Sequence, residues 1–116
     1  MSRDETIAAY EIVELVQQQQ ATGRAYLEFL RVPSMSIGVY SLPAGSIDPQ
    51  QPHTEDEAYY VVSGRGQIHV GGEDRPVGPG SIVFVAATVD HRFHTIEEDL
   101  TILVLFAPAE YSLRPA

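Results

Sequence analysis

The sequence predicts an all-β fold preceded by one N-terminal α-helix. Three observations carry this. Short β-rich segments follow one another from Ala25 to Phe106, separated by Gly- and Pro-containing turns every eight to twelve residues or so, the pattern of a sandwich or barrel. Helical periodicity is confined to Thr6–Gln20. Several segments are apolar on both faces, as strands buried from two sides are.

In order, Ile7, Ala8, Val13, Leu15 and Val16 form a partial apolar stripe over residues 6–20, with Asp4 or Thr6 as cap. The run Gln17 to Gln20 reads as its solvated end, and Gly23 as the stop. Strands are expected at 25–32, 35–42, 57–63, 67–70, 81–86, 91–96 and 100–106. Turns fall at Pro33-Ser34, Pro43-Ala44-Gly45, Ser63-Gly64-Arg65-Gly66 and Gly71-Gly72-Glu73-Asp74. No internal repeat or linker interrupts the series, so residues 1–116 are read as a single domain, with the β part spanning about 25–108.

Composition narrows the function. A chain of 116 residues can close its own core. With no cysteine, neither a disulfide nor a thiolate ligand is available, so a metal would be held by nitrogen and oxygen. A formal net charge of -9 without a basic stripe argues against nucleic acid. No apolar run approaches the ~20 residues of a membrane span, and the opening residues lack a secretory pattern, so a cytoplasmic protein is expected.

The chemistry-bearing residues are concentrated in Gly45-x5-Gln51-Pro52-His53-Thr54-Glu55-Asp56-Glu57-x6-Gly64 and, further on, Gly80-x10-His91. Two imidazoles and a carboxylate at these spacings suit a mononuclear metal site on a β scaffold. A strand starting at Glu57 points Glu57, Tyr59 and Val61 to one side, and His91 opens a second alternation that can reach the same interior. Glu55 and Asp56 read as turn residues facing water. His69 and His94 read as half-buried hydrogen-bonding side chains, His94 having the opposite parity to His91.

These residues resemble the two motifs of the cupins, a family of double-stranded β-helix (jelly-roll) barrels. The first motif is met at every spacing by Gly45, His53, Glu57 and Gly64, with Gln51 where the first histidine is expected. The second is met only by Gly80 and His91, with Ala86, Thr88 and Thr95 in place of the usual Pro, Gly and Asn. The motifs run over about half of the chain. The resemblance implies a cupin barrel with one divalent ion, zinc, manganese, iron or nickel, held by His53, Glu57, His91 and, as a fourth ligand, Gln51. The Gln51-x-His53 pair is similar to that of the zinc-dependent phosphomannose isomerases. The alternative for Gln51 is a hydrogen bond to a metal-bound water.

Such a centre suits a small anionic or carbonyl-containing molecule bound through the ion. Tyr59, Phe93, Phe84, Met35 and Tyr40 are candidate pocket walls. Tyr59, on the parity of Glu57, is the candidate catalytic donor or acid, with core packing as the alternative. A metal-dependent enzyme (dioxygenase, isomerase, lyase or decarboxylase), a non-catalytic ligand-binding or sensor module, and an empty structural shell are the readings left open. The two-faced apolar strand 100–106 needs a cover, either the N-terminal helix or a second subunit. The resemblance favours a homodimer.

Overall fold

In the computed structural model, which describes residues 6–50 and 52–115, one helix precedes six strands. Helix α1 spans Ile12–Thr22, and the strands are β1 Tyr26–Val32, β2 Met35–Leu42, β3 Asp56–Val70, β4 Glu73–Val77, β5 Ile82–Val85 and β6 His91–Ala107. All pairings are antiparallel, in the order β1-β2-β6-β3-β4 with β5 added to β3. The hydrogen-bonded sheet is open at β1 and β4, so it is a rolled sheet and not a closed ring.

The helix is later and shorter than its periodicity suggests. Residues 6–11 are not helical, and Tyr10 instead packs edge-on against Phe29 of β1 (4.8 Å between ring centres) and donates to the Phe29 carbonyl at 3.1 Å. Gly23 does end the helix: at φ 71° its N–H reaches the carbonyls of Gln19 and Gln20. The glutamine run is not wholly solvated. Gln19 is buried, donating to the carbonyls of Ala25 and Val39 and accepting from Ser41 Oγ, so it pins α1 to β1 and β2.

One expected turn is absent, and the gap between the expected strands 91–96 and 100–106 is closed. Residues 63–66 lie within the continuous strand β3, and residues 97–99 within β6; the register of this pair slips between Val61 and Gln67. Gly64 makes the slip feasible. Its φ is 91°, and a Cβ there would sit 2.1 Å from the Asp99 carbonyl oxygen, so the chains approach too closely for any side chain. A strand missed by the sequence reading, Glu73–Val77, pairs back on β3 beyond the Gly71-Gly72 turn.

The consequence of two long, bulged strands is that the sheet rolls over itself. Glu57 pairs with Phe106 at one end of the β3–β6 ribbon, and His91 pairs with Val70 at the other. Yet Glu57 Oε1 and His91 Nε2 are 2.8 Å apart. Inside the roll, Tyr59, Val61, Ile68, Phe93, Ile102 and Phe106 form the centre of the apolar core.

A candidate metal centre in the rolled sheet

Alternation along β3 sends Glu57, Tyr59 and Val61 inward, all at most 3% exposed. His91, 1% exposed, enters from the start of β6. His53 comes from the loop before β3, where its carbonyl accepts a 2.7 Å hydrogen bond from Thr88 N–H and ties it to the loop before His91. In that loop Thr88 has φ 68°, and Thr95 in β6 has φ 49°; these are the positions at which the resembling motif carries Gly and Asn, residues that tolerate this conformation far better.

Sequence and structure agree that His53, Glu57 and His91 converge. One donor atom from each lies within 4.8 Å of the others, close to the ~4.3 Å limit for two donors on one first-row ion. Glu57 Oε1 is 2.8 Å from His91 Nε2 and 3.3 Å from His53 Nδ1, but the angles are poor. Both Glu57 oxygens and His53 Nδ1 are buried without an aligned hydrogen bond. Buried polar atoms are normally paired. An unpaired carboxylate and an unpaired imidazole nitrogen this close to His91 Nε2 are what a cation would satisfy, so the donor set fits a divalent ion. His91 Nδ1 lies 2.9 Å from the Val89 carbonyl; donating its proton there leaves Nε2 as the ligating nitrogen.

The charge states follow from the same contacts. Burial would raise the Glu57 pKa, but the two imidazoles beside it more than reverse this and hold it below the ordinary glutamate range. Burial opposes a charge on His53 too, yet Glu110 and Glu57 outweigh it and push the imidazole up to about 9. His91 is raised over the same opposition from burial, by Glu57 and the Val89 carbonyl. Raised histidines stabilise the metal-free fold fully below their ordinary value of 6.5 and lose that contribution as pH rises through about 9. Lowered Glu57 contributes above its ordinary 4.5 and loses it as pH falls. The metal-free protein should therefore be most stable between these two values and weaken from pH 6.5 to 9, read as Tm in the presence of chelator. A flat Tm across the upper interval would contradict this account of His53.

Around the three lie residues that the sequence did not assign to the site. Gln50 Oε1 is 3.3 Å from His91 Nε2 and accepts from the Tyr59 hydroxyl at 2.9 Å, while Gln50 Nε2 donates to Asp48 at 2.7 Å. Asp48 is buried and also accepts from Tyr40 and from Phe93 N–H, so it fixes the loop to β2 and β6. Glu110 Oε2 lies 3.1 Å from His53 Nε2. Glu55, expected to face water, is 1% exposed and accepts from Thr54 Oγ1 and from the N–H groups of Tyr111 and Leu113. No local pattern signals Glu55 or Glu110, because each meets partners more than 50 residues away.

Other expectations are redistributed. Gln51 lies outside the described residues. Tyr59 is buried behind Gln50, packed on Phe93 at 5.0 Å, and its hydroxyl does not line the cavity. Phe93 is core, and Phe84 points outward at 64% exposure. Tyr40 does line the cavity, a cleft of about 390 Å³ that also meets Tyr26, Gln50, His53, Glu110 and Tyr111. Tyr26 reaches it across Gly38, where a Cβ would fall 2.2 Å from the tyrosine ring. Asp56 is exposed and accepts from Ala87 N–H. His69 and His94 both reach Asp74 on the outer side, at 3.2 and 2.7 Å.

Comparison with known proteins settles the family. Residues 38–106, more than half of the chain, match the model of the cupin domain. The chain belongs to the cupin family. This cupin is 51% identical over 102 residues to an uncharacterized protein of Streptomyces coelicolor, covering 88% of this chain and 97% of that one. Among solved structures it is similar to the DMSP lyase DddQ of Ruegeria pomeroyi (28% identity, TM-score 0.64), over 73% of this chain but only 42% of that enzyme. It is also similar in fold to a cupin 2 conserved barrel domain protein of Rhodopseudomonas palustris (20% identity, TM-score 0.66), over 73% of this chain and 61% of that one. Among the described residues, no helix is long and apolar enough to cross a membrane.

Proposed function

We propose that this cupin holds one divalent ion through His53, Glu57 and His91 and uses it to bind a small carbonyl-containing molecule. The observation that carries the reading is that one donor atom each of His53, Glu57 and His91 lies within 4.8 Å of the others, while both Glu57 oxygens and His53 Nδ1 are buried without a hydrogen bond. A bound ion would supply Lewis-acid polarisation of an oxygen on the ligand. Gln50 and Gln51 are the amide donors next in line for a further position, Gln50 by its distance to His91 and Gln51 by its motif position.

The cleft favours a neutral carbonyl over a free anion. None of its described lining residues is Lys or Arg, and it contains Glu110. Formally, the two carboxylates Glu57 and Glu110 balance a divalent ion, so an anionic ligand gains no net attraction. The Tyr26 hydroxyl, buried in the wall without a hydrogen-bond partner, offers a donor to a ligand oxygen. Turnover of such a ligand is part of the proposal. It draws support from the likeness to a protein named as a lyase, at 28% identity over part of that enzyme. Thermal-shift screening of small ketones, keto acids and diketones against metal-loaded and metal-free protein tests the reading. Stabilisation by neutral carbonyl compounds in the loaded protein alone is expected. Hits that bind equally without metal would refute it.

Dimerisation belongs to the same proposal. Register places Ile82, Tyr60, Leu103 and Val39 in one row, and Phe84, Ala58, Leu105 and Ile37 in the next, across four strands. Helix α1 packs on β1 and β2, so it does not cover the β3–β5 end of these rows, where Ile82 and Phe84 are 75% and 64% exposed. A second copy is the cover that fits exposed apolar side chains grouped at this end of the sheet. Light scattering should give twice 12.7 kDa, and Phe84→Lys should return the monomer mass. A wild-type monomer at micromolar concentration would remove the dimer.

A further inference from the structure

The geometry points to Glu110 as a positioning residue that accepts a hydrogen bond from the Nε2–H of His53 and so turns Nδ1 toward the ion shared with Glu57 and His91. This rests on the metal reading above. The two ring nitrogens of a histidine are not equivalent, and the partner of one decides the role of the other. For His91 the partner is a backbone carbonyl on Nδ1. For His53 the order is reversed: Nε2 faces Glu110 at 3.1 Å, and Nδ1 lies 3.3 Å from Glu57 Oε1 with no aligned hydrogen bond. A carboxylate behind a ligating imidazole both fixes its ring and raises its basicity.

Glu110 follows the segment matched by the family model, yet it is held by a built set of contacts. Its N–H donates to the fully buried Ser36 Oγ at 2.9 Å, and its carbonyl accepts from Arg31 at 2.7 Å. Directly after it, the Tyr111 and Leu113 N–H groups are taken up by Glu55 at 2.7 and 3.0 Å. Tyr111, at φ 65°, stacks its ring 5.8 Å from that of His53. The C-terminal segment is thereby fastened to β1, to β2 and to the residue before β3, with its one inward carboxylate on His53. Glu55 thus serves as the clasp that keeps Glu110 in place.

Long-range proton–nitrogen correlation spectra of zinc-loaded, 15N-labelled protein read the His53 tautomer directly. Protonated Nε2 and zinc-bound Nδ1 are expected, and zinc on Nε2 would overturn the inference without any variant. Zinc titration of Glu110→Gln, which preserves shape and removes charge, should show affinity weakened about 10–100-fold. Equal affinity in wild type and Glu110→Gln overturns the role of Glu110 alone. A wild-type protein that takes up no zinc overturns the metal reading and this inference with it.

Discussion

His91→Ala is expected to abolish stoichiometric metal binding. The side chain is 1% exposed and supplies one of only two imidazoles at the site, so its loss leaves Glu57, His53 and amide oxygens. Loss of an outer partner of a ligand costs ~10–100-fold in affinity, and loss of a ligand itself should exceed that. The same change leaves Glu57 buried with one neighbouring imidazole, and a buried charge deprived of a partner destabilises by about 3–5 kcal/mol. His91→Gln, which retains polarity and most of the volume, separates the two effects: it should fold but hold less than one tenth of the metal under conditions that saturate the wild type. Elemental analysis after gel filtration reads the result, and full occupancy in His91→Gln would remove His91 from the site.

Gly64→Ala should be the most damaging single methyl group in the β3–β6 ribbon. The new Cβ would fall 2.1 Å from the Asp99 carbonyl oxygen and 2.8 Å from Leu100 Cα, both backbone atoms that cannot swing aside, in a residue with φ 91°. Strain of this conformation alone costs about 1–3 kcal/mol. Clash with the opposite strand adds to it, so a loss of roughly 3 kcal/mol or more is expected, or about 10 °C in Tm for a domain of this size. Because the bulge beside Gly64 lets the ribbon roll, the variant should also lose metal affinity although the site lies elsewhere. Gly72→Ala, where a Cβ meets nothing within 4 Å, is the control and should unfold within a degree or two of wild type. Equal stability of the two variants would contradict the packing described at the bulge.

The contrast between these glycines shows what was legible in the sequence. Gly64 and Gly66 looked like a turn because glycine permits both a turn and a bulge. Only the long-range pairing of β3 with β6 decides between them. The parity of Glu57, Tyr59 and Val61 was legible because period two is a local property of a strand. So was the convergence of His53, Glu57 and His91, through spacing and motif resemblance. The helix start was not, since Ile7 and Ala8 continue the stripe on paper while Tyr10 finds a better partner in Phe29. Glu55 and Glu110 were illegible for a different reason. Charged residues outside a strand pattern default to solvent, and the contacts of these two depend on the C-terminal segment folding back against the cleft. The presence of Tyr26 beside the expected Tyr40 in the cavity lining, in place of Tyr59, has the same origin: parity says inward, but only the roll of the sheet says how deep.

The central claim is that His53, Glu57 and His91 form one mononuclear centre, and native mass spectrometry of untagged protein tests it most directly. After chelation and separate reconstitution with zinc, manganese, iron(II) and nickel, at least one of these ions should be retained at one per chain. That retention should be lost in His53→Ala. Protein that retains none of the four, or that retains one ion per chain without His53, would contradict the centre as described.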